Sequence, residues 1–129
     1  MRDINLYTKD PIIIENCLEE IINTIKNVAT NHQNEFWSTG KTFWSFTIDN
    51  DNIYEEFTDE YMINEIKEFA KLLPIENPYA NLILIHRSID AKRLIEILIK
   101  FHPEMYIFIN DETSWLGSAQ EYLDKKFDY

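Results

Sequence analysis

The stretch 82-LILIHRSIDAKRLIEILIKFHPEMYIFI-109 decides how the fold is read. It opens on Leu82-Ile83-Leu84-Ile85, a continuous apolar run of the kind found in strands covered on both faces. Ser88 or Asp90 then suits a helix N-cap, and Ala91, Leu94, Leu98 and Phe101 recur at helical spacing. Met105-Tyr106-Ile107-Phe108-Ile109 is a second apolar run, aromatic and β-branched, and reads as another buried strand. A strand, a helix and a strand in this order predict two parallel strands joined by a crossover helix.

Downstream, Ser118 with Glu121 three residues later forms a capping box that opens a last helix through Tyr122, Leu123 and Phe127. Upstream, the aromatic segment from Phe36 to Ile48 predicts a strand over 42–48, with Gly40 at a turn and Trp44, Phe46 and Ile48 on one face. Residues 49–52 read as a turn. A helix over 59–73 follows, carrying Met62, Ile66, Phe69 and Leu73 and ending at Pro74. Asp10-Pro11 suits the start of the first helix, whose stripe is Ile14, Leu18, Ile21, Ile25 and Val28. Ile4 and Leu6 carry only a faint strand signal. The expected architecture is one α/β domain over residues 1–129: a small, mostly parallel sheet of three to four strands flanked by about four helices.

Composition narrows the function classes. The net charge of −11 argues against nucleic acid and anionic membrane as ligands, because both require a basic surface. It suits a basic protein partner, a cation, or solubility alone. The lone Cys17 excludes an internal disulfide; its place on the first helix's apolar stripe makes it buried filler or, in the alternative, a reactive thiol. With His32, His86 and His102 scattered, it forms none of the usual zinc ligand pairings. No apolar run approaches the roughly 18 residues of a membrane span. Met1-Arg2-Asp3-Ile4-Asn5 lacks the pattern of a signal peptide, so the expectation is a cytoplasmic protein. No cofactor is expected.

Several motifs fall short of their chemistry. Ser38-Thr39-Gly40-Lys41-Thr42 lacks the opening glycine of a phosphate loop, Glu35 standing in its place. Between Asp49 and Glu60, Ile53 and Tyr54 replace the fifth ligand and the glycine of a calcium loop. Ser118 has no glycine-flanked elbow. In a parallel sheet, Asp49-Asn50-Asp51, His86-Arg87-Ser88 and Asn110-Asp111-Glu112 would meet at the carboxyl edge, where ligands bind. The same residue types also populate turns and caps. Asp49-Asn50-Asp51 after a strand resembles the first motif of the haloacid-dehalogenase-type phosphatases. That resemblance implies Asp49 as nucleophile, Asp51 as general acid and magnesium as cofactor. The later acidic motif would start at Asp111, but Trp115 stands near where its second Asp belongs.

The surface signal lies elsewhere. Asp49, Asp51, Glu55, Glu56, Asp59, Glu60, Glu65 and Glu68 are interleaved with Tyr54, Phe57 and Tyr61. Charge speeds encounter and rings anchor a contact, so this mixture suits a protein interface. Asp111-Glu112-Thr113-Ser114-Trp115 is a second such patch, with Trp115 either a lid over the core or an exposed anchor. The expected partner-binding set is Asp49, Asp51, Tyr54, Glu55, Glu56, Asp59, Glu60, Asp111, Glu112 and Trp115, with no catalytic or metal-ligating residue. In size, acidity and these two segments the chain resembles bacterial toxin-immunity proteins. The resemblance implies a non-enzymatic inhibitor that occludes a basic partner such as a toxin. Two alternatives stand beside it. One is a metal-dependent hydrolase or phosphatase-like enzyme built around Asp49, Asp51 and Asp111. The other is a structural or regulatory subunit that self-associates into a homodimer.

Overall fold

The computed structural model describes residues 2–31, 33–52, 72–110 and 114–129. Among them, seven strands form one sheet in the order β2-β3-β4-β5-β1-β6-β7. The strands are β1 (Arg2–Thr8), β2 (Val28–Thr30), β3 (Glu35–Ser38), β4 (Trp44–Asn52), β5 (Tyr79–Ile85), β6 (Tyr106–Asn110) and β7 (Leu116–Ser118). Three helices accompany them: α1 (Ile14–Thr24), α2 (Ser88–Leu98) and α3 (Ala119–Asp124).

Every pairing in this sheet is antiparallel, which overturns the expectation of a small, mostly parallel sheet with about four helices. The cause is β1. It lies between β5 and β6 and pairs antiparallel with both, Ile4 facing Ile83 on one side and Ile109 on the other. The β5–α2–β6 unit does exist, and its two strands run the same way. They never touch, because the N-terminal strand separates them. The apolar runs reported cover on both faces, and burial carries no information about strand direction.

The core sits on one face. Ile4, Leu6, Ile83, Ile85, Ile107 and Ile109 point into it together with Phe36 and Phe46. These two rings are cross-strand partners, with centroids 6.2 Å apart. α1 contributes Cys17 and Ile21, and α2 contributes Ala91, Leu94, Ile95 and Leu98. On the opposite face, Tyr7 and Leu73 are buried and pack with Ala80, Tyr106, Phe108 and Leu116. No helix among the described residues is long and apolar enough to cross a membrane.

Several element ends differ from expectation for local reasons. α1 begins at Ile14 rather than at Pro11, with no side-chain cap. The Ile12 N–H donates to Asn50 Oδ1 at 2.8 Å and its carbonyl accepts from Asn50 Nδ2 at 3.0 Å, which keeps the segment extended. α1 also stops at Thr24: Ile25 is extended and Asn27 takes φ 58°, so Val28 enters β2 instead of continuing the helix. Neither Ser88 nor Asp90 caps α2. Ser88 instead donates its N–H and hydroxyl to the Tyr129 main-chain oxygen at 3.0 and 2.8 Å, while Asp90 pairs with Arg87 at 3.4 Å. The helix expected over 59–73 lies almost wholly outside the described residues; Leu72 and Leu73 sit in a turn. The capping box of α3 is present, Ser118 Oγ accepting from the Glu121 N–H and Glu121 Oε1 accepting from the Ser118 N–H, both at 3.1 Å. The helix ends at Asp124, and Phe127 folds back onto Tyr122 with ring centroids 4.8 Å apart.

Two predictions follow from this packing. Replacing Ser118 by Ala removes the cap and costs about 1 kcal/mol in urea unfolding. Burial, and secondarily the charges of Glu15 and Glu20, raise the Cys17 thiol to about 11, and burial raises the Tyr7 hydroxyl to about 12. Both folded-state values lie above the unfolded ones, so the folded protein holds these protons more tightly. Their contribution is complete below pH 9, and the Cys17 part is lost as pH rises from 9 to about 11. The urea midpoint of the wild type should fall over that interval more steeply than that of Cys17→Ala.

Candidate functional site

The register fixes where the acidic residues of β4 go. Trp44 pairs with Ile85, whereas Asp51 and Asn52 pair with Ala80 and Tyr79, the first residues of β5. Asp49 and Asp51 therefore stand at the edge where β5 begins, while Arg87 follows its end. Strand rise over β5 separates them by about 20 Å. The expected convergence of Asp49, Asp51 and Arg87 on one carboxyl edge is thus overturned. The phosphatase-like arrangement loses its basis as well, since it required Asp49 at the carboxyl end of a parallel strand. Arg87 is engaged with Asp90 in the first turn of α2, and exposed His86 meets Phe43 edge-on at 6.3 Å.

The expected turn at 49–52 is instead the end of β4, bent by a bulge between Thr47 and Asp51. Asn50 adopts φ 50°, a left-handed conformation that Asn tolerates better than most side chains. Asn81, only 3% exposed, holds the bend from β5. Its Oδ1 accepts from the backbone N–H groups of Asp49 and Asn50, both at 2.8 Å, and its Nδ2 donates to Asn50 Oδ1 at 3.0 Å. Asn34 Nδ2 donates to Asp49 Oδ1 at 3.1 Å, which keeps that carboxylate at the surface. Amide side chains fill the main-chain hydrogen bonds that the bulge leaves open, and the exposed acid is the result.

Beside this edge opens a cleft of about 720 Å³. Tyr79 and Tyr106, the first residues of β5 and β6, line it on either side of the end of β1. Lys9 and Asp10 come from the chain leaving β1, Ile75 and Glu76 from the segment entering β5, and Glu104 and Met105 from the segment entering β6. The Lys9 N–H donates to Glu104 Oε1 at 3.4 Å, and His102 Nδ1 lies 3.7 Å from the same oxygen. Among the described residues, no three of His, Cys, Asp and Glu gather as metal ligands.

At the opposite edge basic residues stand among acids, with Asp3, Asp90 and Asp128 beside Arg2 and Arg87. Arg2 pairs with Ile85, and its guanidinium lies 3.8 Å from the centre of the Tyr129 ring. α3 starts at Ser118, opposite Tyr106, and the chain after it reaches Ser88 through Tyr129, which carries Lys125 and Lys126 to the Arg87 side. Lys92 Nζ donates to the Lys125 carbonyl there.

Of the residues singled out from sequence, Asp49 and Asp51 share the acidic edge. Trp115 is half-buried elsewhere: its ring packs against Tyr122 and Phe127 at 5.9 and 6.0 Å and covers Gly117 so closely that a Cβ would stand 2.6 Å from it. It is a lid over the core. Tyr54, Glu55, Glu56, Asp59, Glu60, Asp111 and Glu112 lie outside the described residues. Cys17 is buried filler, with Sγ 3.4 Å from the Ile14 carbonyl oxygen. Sequence reasoning missed the cleft. Its residues come from separate segments, and the only local hint was that Glu76 and Glu104 each closely follow a proline, Pro74 and Pro103.

No protein-family model matches the chain, and no curated protein or solved structure matches it significantly.

Substituting Asn81 by Leu leaves the Asp49 and Asn50 N–H groups without their acceptor in a buried bend. The expected loss is about 3 kcal/mol in urea unfolding, against a loss near zero for the exposed Asn23→Leu.

Proposed function

We propose that the protein is an acidic binding module, not an enzyme, that occludes a basic protein partner in the manner of a toxin-immunity protein acting in the cytoplasm. One observation carries this reading: Asp10, Glu76 and Glu104 line an open cleft with Lys9 as its one cation and Asp49 and Asp51 stand at the same edge, whereas at the other edge Arg2, Arg87 and Lys125 balance Asp3, Asp90 and Asp128. A net charge of −11 spread evenly would serve solubility, but an excess of acid at one edge also orients an approaching cation. The tyrosines at the cleft supply ring surface that a charged rim alone lacks. The single buried thiol suits a reducing compartment.

The test is a pull-down from lysate of the source organism with tagged protein, washed at low and at high salt. A basic protein recovered at equal stoichiometry is expected. Its affinity should fall about tenfold in Asp10→Lys/Asp49→Lys and stay within about twofold in the opposite-edge control Asp3→Lys/Asp128→Lys. Recovery of no basic protein at either salt overturns the reading, as does equal loss in both variants.

A further inference from the structure

The cleft joins three kinds of surface that seldom occur together on a solvated acidic face. Pro74 and Pro103, both exposed, provide apolar floor. Tyr79 and Tyr106 stand two strands apart, about 10 Å by strand spacing. Asp10, Glu76 and Glu104 supply carboxylates that form no metal-ligand group, against the single lining cation Lys9. A point cation is poorly served by acids that do not converge. A lysine or arginine has an aliphatic stem that covers apolar surface and a charged head that seeks carboxylates or a ring face. The volume of about 720 Å³ is that of a site for several side chains rather than for one ion.

From this match we propose that the cleft is the receptor for an extended basic peptide segment, laid across the strand ends between β5 and β6 with its Lys or Arg stems over Pro74 and Pro103. The proposal rests on the binding-module reading and names the part of the partner that this site takes. Lys9 is the built-in opponent of such a ligand. Its charge stands on the rim while its backbone N–H holds Glu104. Removing that charge should therefore tighten binding.

The experiment is fluorescence anisotropy with a labelled short peptide of alternating Gly and Arg, its citrulline counterpart serving as the uncharged control. Glu76→Gln/Glu104→Gln keeps the hydrogen-bond acceptors and should weaken binding about fivefold. Asp3→Asn/Asp128→Asn changes the net charge equally at the opposite edge and should stay within about twofold. Lys9→Gln should strengthen binding about twofold, and Lys126→Gln should do so measurably less. Urea unfolding of each variant checks that the fold is intact. Equal effects at the two edges would overturn the proposal, since binding would then follow net charge alone; binding of the citrulline peptide as tightly as the arginine peptide would also overturn it. If this peptide fails to bind while a basic protein is still recovered in the pull-down, the cleft assignment falls and the binding-module reading stands. If the peptide binds as described and no basic protein is recovered, the cleft stands and the inhibitor reading falls.

Discussion

Strand β1 forms hydrogen-bonded ladders along both flanks, with seven register pairs to β5 and five to β6, and the rest of the sheet depends on this double pairing. Without β1, β5 and β6 would face each other across a gap of about two strand spacings, close to 10 Å. Their inner backbone groups would be left unpaired, at about 1–3 kcal/mol for each group that stays buried. β1 also places Ile4 and Leu6, both fully buried, in the middle of the core face. The pairing is distant in sequence, since Arg2 meets Ile85 and Asp3 meets Asn110. Closing such loops costs chain entropy before any contact is gained.

A second constraint is independent of the first. β4 also runs antiparallel to β5 and delivers Asp49 and Asp51 to the end where β5 starts. The bulge there is stabilised by Asn81 and Asn50, and Asn50 in turn binds both main-chain groups of Ile12. One buried amide network thus sets three things: the bend in β4, the late start of α1, and the outward position of Asp49. The acidic edge is a by-product of satisfying backbone hydrogen bonds at an irregular strand end. Its charge is cheap to keep there because water remains in contact with it.

Much of the local structure was legible from residues alone. The runs 82–85 and 106–109 are strands, the intervening stripe is a helix, and the Ser118–Glu121 box caps α3. Each of these signals is carried by neighbours in sequence. What failed shares one property: it depended on a group far along the chain. Asp10-Pro11 has the chemistry of a helix start, yet Asn50 claims the backbone of Ile12. Ser88 has the chemistry of a cap, yet its hydroxyl goes to Tyr129. The cleft was invisible for the same reason, since Lys9, Glu76, Tyr79, Glu104 and Tyr106 meet only after β1 is in place between β5 and β6. Trp115 was left open between lid and anchor because a lone ring in a polar loop does not reveal whether a surface waits beneath it.

By itself the sequence determined the acidity, the absence of an internal disulfide, the apolar positions that make the core, and the type of most elements, because these rest on composition and on periods of two and 3.6 residues. Only the tertiary structure decided strand order, strand direction, and the gathering of Asp10, Asp49, Glu76 and Glu104 at the edge away from Arg2 and Arg87. The physical reason is that hydrophobic patterning specifies which face of an element is buried. It does not specify which backbone pairs with which, and here that choice turned on a single strand with a faint local signal, β1.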